Sequence, residues 1–131
     1  MATQDDVRRI ASSLPGVVEE ESRFGFNVLA GKKPKQFAWV WLERTHPKKA
    51  RVPQPKVLAV RVTGEEEKDF LVHAQPEVFF TEAHYNGYPA VLIRLEAITL
   101  DHLETMIVNA WHLQASKALI AEYAARAGAG R

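Results

Sequence analysis

The sequence predicts an α+β protein: a single antiparallel sheet of about five strands with helices packed against it. Three observations carry that expectation. Alternating apolar segments run one after another between residues 17 and 62, with no helical pattern between them. Most of their connections are short turns, which suits an antiparallel meander. Segments with helical spacing stand before and after this block. The chain has 131 residues, 47% apolar and 25% charged, the size and balance of one globular domain with its own core. The domain is assigned to residues 1–123. The tail "AARAGAGR" (124–131) has little to pack and is expected to fray.

The elements follow in order. Thr3 with Asp6 has the spacing of a capping box, and Val7, Ile10, Ala11 and Leu14 form one apolar stripe, so a helix opens the chain. Pro15-Gly16 ends it. Strands are expected near 17–23 and 25–30, with Gly25 marking a bulge or bend. "GKKPK" (31–35) reads as a turn. "QFAWVWL" (36–42) reads as a strand with Phe37, Trp39 and Trp41 on one face. "KVLAVRV" (56–62) makes the fourth strand of a meander. Thr63 and Glu66 suggest a second capping box, for a helix over 65–74 with Phe70 and Leu71 turned inward. "PEVFF" reads as a short helical turn, and Asn86-Gly87 in "HYNGYP" is a turn signal. "AVLIRLEAI" (90–98) is a fifth strand, apolar on both faces and therefore central. Thr99 caps a last helix whose stripe is Leu100, Leu103, Ile107, Ala110, Trp111, Ala118 and Leu119.

Several chemistries lack their residues. No cysteine is present, which removes thiol nucleophiles and Cys-ligated metals. Neither GxxxxGK[ST] nor GxGxxG occurs, and "AGKKPK" has too few glycines to cradle a phosphate. His46, His73, His84, His102 and His112 are widely spaced, with no HxxxH or HExxH, so no metal site is expected. No GxSxG elbow accompanies the serines. The acidic runs 19–21 and 65–67 read as a solvated strand and a helix amino terminus rather than as a catalytic pair. The sequence is therefore read as a binding protein and not an enzyme, with no cofactor. "MATQDD" has acids where a secretory leader carries basic residues, and no apolar run reaches membrane-spanning length. A cytoplasmic location is expected.

Charge is unevenly placed. The net charge is +1, yet residues 32–61 hold nine basic and one acidic side chain, and residues 62–104 hold two basic and nine acidic. Such asymmetry bears on association rather than on fold. Within the basic segment, "RTHPKKARVPQPK" offers Arg44, Lys48, Lys49, Arg51 and Lys56 in a loop expected over 43–55 and stiffened by three prolines. Lys32, Lys33 and Lys35 belong to the turn at the other end of the 36–42 strand, about 20–25 Å away at ~3.4 Å per residue. The second candidate surface is an aromatic cleft of Trp39, Trp41, His84, Tyr85 and Tyr88.

"SLPGVVEE" (13–20), "FGFNVLAGKKPKQFAWVWLERTHPKKARVPQPKVLAVRV" (24–62), "FFTEAHYNGYPAVLIRL" (79–95) and "AWHLQASKALIAEY" (110–123) together resemble the MmcQ/YjbR family over nearly the whole chain. The resemblance implies a compact α+β domain with an antiparallel sheet, related in shape to frataxin-like and secretion-chaperone-like folds. It also implies DNA binding, the label such proteins commonly carry, and supplies no catalytic residues. Two functions follow as expectations. One is DNA binding by a basic loop that neutralises backbone phosphates without reading bases. The other is a small-molecule or protein adaptor that uses the aromatic cleft.

Overall fold

The computed structural model of the protein describes residues 2–30 and 33–129. It contains α1 (Gln4–Ser12), β1 (Val17–Glu19), β2 (Gly25–Ala30), β3 (Lys33–Glu43), β4 (Val52–Arg61), α2 (Glu65–Ala74), β5 (Phe79–Phe80), β6 (Ala90–Arg94), α3 (Leu100–Gln114) and α4 (Lys117–Ala129). The strands form one antiparallel sheet in the order β1-β2-β3-β4-β6-β5. The first four strands are the expected meander, and β6 enters between β4 and β5. That inner position explains why Ala90 to Ile93 are all buried.

One face of the sheet holds the main core. Phe26, Phe37, Leu58, Val60, Val91 and Ile93 project from the strands against Val7 and Ile10 of α1 and Leu103, Ile107 and Trp111 of α3. Trp111 is fully buried, and its indole N–H donates to the Pro15 carbonyl at 3.0 Å, tying α3 to the end of α1. The Thr3–Asp6 capping box is formed, with the Thr3 N–H donating to Asp6 Oδ2 at 2.9 Å. This bond, the largest influence on Asp6, holds its carboxyl below the ordinary range.

The other face carries a smaller cluster of Trp41, Ala59, Tyr85, Ala90 and Leu92, with Trp39, Val57 and Phe80 packed against it. Alternation divides the strands between the two sides: Leu58 and Val60 face the helices, whereas Val57 and Ala59 face away.

Several expectations change. Phe37 does not share a face with Trp39 and Trp41. Phe26 pairs with Ala38 and Asn27 with Gln36, so Phe37 is the extra residue of a β-bulge. The bulge turns both Phe37 and Ala38 into the core and gives Gln36, Trp39 and Trp41 to the opposite side. The β3–β4 hairpin is longer than expected: β3 begins at Lys33, within the anticipated turn, and Pro53 and Pro55 lie in β4. Gly31 and Lys32 of that turn fall outside the described residues.

Strand β1 stops at Glu19, and Phe79-Phe80 is an edge strand rather than a helical turn. Helix α2 has Gly64 at its N-cap, while Thr63 donates instead to Glu67 Oε1. Phe70 is 70% exposed, and Lys68 is the buried residue of α2. Leu71 and Val72, three and four residues beyond Lys68, fix the inward stripe and leave Phe70 outside it. The last helix is two. Gln114 ends α3, and Ser116 Oγ accepts the Leu119 N–H to start α4. Residues 124–129, expected to fray, continue α4, and Arg126 reaches back to the Ser13 carbonyl at 3.3 Å.

Candidate functional site

On the face away from the helices, one row of residues crosses the sheet. Gly25 pairs with Trp39, Trp39 with Ala59, Ala59 with Leu92, and Leu92 with Phe80. The small residues Gly25 and Ala59 flank Trp39. A Cβ built on Gly25 would lie 3.0 Å from Gln36 Nε2 and in ordinary contact, 3.4 Å, with Trp39 Cβ, so glycine here leaves room for the Gln36 amide next to Trp39. Trp39 is half-buried; it packs against the smaller cluster and lines a trough.

The far wall of the trough comes from the segment between β5 and β6. A 3₁₀ turn at Ala83–Tyr85 runs into a type II turn, with Asn86 at φ −61° and ψ 128° and Gly87 at φ 77°. Glycine adopts this positive φ without strain. The turn closes through the Tyr88 N–H onto the Tyr85 carbonyl at 3.0 Å and brings both tyrosines to Trp39. Trp39 Nε1–H donates to Tyr85 Oη at 3.1 Å. The Trp39 and Tyr88 rings meet edge-to-face at 6.3 Å between centroids, and Tyr85 and Tyr88 at 6.1 Å.

A buried lysine holds this turn. Lys68 is 2% exposed, and its ammonium donates to the Tyr85 carbonyl at 2.6 Å and pairs with Glu65 at 2.9 Å. Burial pushes the Tyr85 phenol above its ordinary range, with the bond from Trp39 opposing; Glu82 and Tyr88 raise it further, and Arg51 lowers it. The hydroxyl therefore stays protonated at neutral pH, accepts from Trp39, and keeps its own proton to donate.

Gln36, Trp39, His84, Tyr85 and Tyr88 line a space of about 380 Å³. An adjoining space of about 200 Å³ shares Gln36, Trp39, His84 and Tyr85 and adds Arg23, Leu42 and Arg51. The four shared walls make one trough with arginines on one margin. On another margin, Arg61 donates to Tyr88 Oη at 3.1 Å and lies over its ring at 5.3 Å. Such a site can stack a flat ring, hydrogen-bond acceptors and attract an anion. Among the described residues, no group of three His, Cys, Asp or Glu side chains is placed to hold a metal ion.

Four members of the expected aromatic cleft meet here. Trp41 does not line it. At 8% exposure it lies beneath, edge-to-face on Phe80 at 5.5 Å, with its indole N–H buried and without an acceptor among the described residues.

The basic loop is shorter than expected, spanning 44–51. Pro47 sits second in a turn closed by the Lys49 N–H onto the His46 carbonyl at 3.1 Å. Arg44 folds inward onto the Pro47 and Lys49 carbonyls at 3.4 and 3.1 Å, and Arg51 onto the Leu42 carbonyl at 3.0 Å. These bonds order the loop and leave both guanidinium charges in place. Lys48 and Lys49 are exposed. Lys56 is set apart in β4, where it pairs with Glu96 at 2.8 Å.

Among the described residues, no ion pair joins the acidic runs to the loop. Glu19 pairs with Arg8 and Glu65 with Lys68, while Glu20 accepts from Asn27. Sequence reasoning missed Arg23, Gln36 and Lys68. The bulge that turns Gln36 outward and the burial of Lys68 have no local signature, whereas Arg23 stands in a polar run beside Phe24.

The family profile described as YjbR matches residues 12–113. Uncharacterised proteins of Mycobacterium bovis and Mycobacterium tuberculosis are each 38% identical over 133 aligned residues, covering 98% of this chain and the whole of each relative. A crystal structure of a Deinococcus radiodurans protein with a DUF419 domain superposes with a TM-score of 0.69 at 21% identity, covering 93% of this chain and 88% of that one. That likeness is one of fold.

Proposed function

The chain belongs to the YjbR family, and we propose that this member is a non-enzymatic module that binds DNA through the tip of the β3–β4 hairpin. Arg44, Lys48, Lys49 and Arg51 carry the contact by neutralising backbone phosphates. One observation supports this reading above the others: Arg51 belongs both to the basic loop and to the wall of the aromatic trough. The two surfaces that look separate in the sequence adjoin, and a polyanion on the loop would run along the trough. The internal bonds of Arg44 and Arg51 also lower the ordering cost of binding, because the loop is already shaped. Lys56 is left out of the interface, since Glu96 neutralises it.

Salt dependence tests the reading. Four cations on duplex DNA give a slope of log K against log salt of about −3.6. Lys48→Ala with Lys49→Ala should flatten it by about 1.8, with little change in fold stability. The matched control is Lys33→Ala with Lys35→Ala, which removes the same charge from the far end of β3. Equal weakening by the two pairs would mean that any cation serves, and the loop would lose its assignment.

A further inference from the structure

We propose that the trough beside the basic loop is a base-stacking subsite, and that the DNA this protein holds is single-stranded. The inference rests on the loop reading above and deepens it. It starts from the mismatch between the trough and a duplex. In duplex DNA the flat faces of the bases are covered by their neighbours, so an aromatic wall can engage them only where the strand is unpaired. A protein that needed phosphates alone would gain nothing from a half-buried indole lining a trough beside its basic loop. Gly25, paired with Trp39, lets the Gln36 amide lie close beside it; a Cβ in its place would sit 3.0 Å from Gln36 Nε2.

The pieces complement one nucleotide of a strand. Trp39 is half-buried and lines the trough, where a base can stack on it, with Tyr88, 44% exposed, at its edge. Tyr85 Oη, oriented by the Trp39 N–H, has a proton to donate to a base carbonyl or a phosphate oxygen. The Gln36 amide can both donate and accept at a base edge. Arg23 and Arg51 border the same wall, where the backbone of a strand entering from the loop would pass. Among the described residues no acidic side chain lines either part of the trough, and Glu82 is the one carboxylate whose charge bears on Tyr85. The wall that carries Tyr85 is fixed from behind by Lys68, so the stacking geometry exists before a ligand arrives.

The test compares binding of oligo-dT, a duplex of the same length and oligo-rU at fixed salt, followed by fluorescence anisotropy of the labelled strand. Oligo-dT should bind at least tenfold more tightly than the duplex. Trp39→Leu should weaken oligo-dT roughly ten- to hundredfold, the range of one stacked base, and leave duplex binding within a factor of two. Trp39→Phe should recover part of the loss. Tyr88→Leu, at the exposed edge, should give a smaller loss in the same direction and serves if Trp39→Leu fails to fold. Equal affinity for strand and duplex, or indifference of oligo-dT to both Trp39 and Tyr88, would overturn the stacking subsite. The loop reading would then stand or fall by Lys48 and Lys49 alone. Oligo-rU binding more than tenfold tighter than oligo-dT would overturn DNA as the occupant. Failure of all three probes to bind would overturn both proposals.

Discussion

Lys68→Met is the most informative single substitution, because it separates the hold on the Tyr85 turn from the turn itself. The ammonium has two partners of unequal worth. Glu65 is about half exposed and regains water when the lysine is lost, so that pair contributes under about 1 kcal/mol. The bond to the Tyr85 carbonyl is short and buried, and a hydrogen bond to a charged group contributes about 1.5–3 kcal/mol. The carbonyl keeps the Tyr88 N–H, so it is not left bare. Methionine fills the space of the stem and removes the cost of burying a charge, which offsets part of the loss. The net expectation is a destabilisation of about 1–2 kcal/mol. In a chain of this length that corresponds to a fall of about 4–7 °C in Tm. Urea denaturation should show a lower midpoint with an unchanged slope. Affinity for oligo-dT should fall several-fold as Tyr85 loses its fixed place beside Trp39. A midpoint at or above that of the wild type would refute the reasoning, since burial of the ammonium would then cost more than its bonds return.

Other outcomes are expected. Trp111→Ala should cost about 3–5 kcal/mol by chemical denaturation, because it empties a fully buried site between the sheet, α3 and Tyr123 and leaves the Pro15 carbonyl without its donor. The Tyr85 phenol is raised in the folded state relative to about 10 in the unfolded chain. Its contribution is therefore complete below that value and is lost as pH rises through the higher folded pKa. Ultraviolet titration should show one phenol ionising late, and Tyr85→Phe should remove it.

Much of the architecture was legible, because local pattern dictates it. Alternation from Phe24 to Val62 marked the meander, Val7 to Leu14 marked α1 through its stripe and cap, and Asn86-Gly87 marked a turn. What failed depended on distant partners. A bulge inserts one residue, so a period-2 reading of Phe37, Trp39 and Trp41 broke at a point that only pairing with Phe26 and Asn27 reveals. The prolines at 53 and 55 suggested a loop, yet they are compatible with β4 because its outer stretch pairs with β3 alone. Lys68 reads as a solvent-facing helix residue; its burial depends on a carbonyl 17 positions away. The division between α3 and α4 did have a signal, Ser116 ahead of an apolar run.

The site was legible in its ingredients and not in its assembly. Trp39, His84, Tyr85 and Tyr88 stood out by residue type, and so did the cations of the loop. That they adjoin follows from the β3–β4 hairpin placing Arg51 beside the turn before β6. Trp41, one step along the same face, is covered by Phe80 and cannot serve.

The measurement that bears most directly on the account is a ¹H–¹⁵N correlation spectrum of the labelled protein titrated with oligo-dT. The three tryptophans report separate places: Trp39 bonded to Tyr85, Trp41 buried against Phe80, and Trp111 bonded to Pro15 on the helical side. The Trp39 indole signal should move, together with the amides of Lys48, Lys49, Arg51 and Tyr88, while the Trp111 indole stays in place. Movement centred on α1, α3 and Trp111, or a spectrum unchanged at saturating oligonucleotide, would contradict this account.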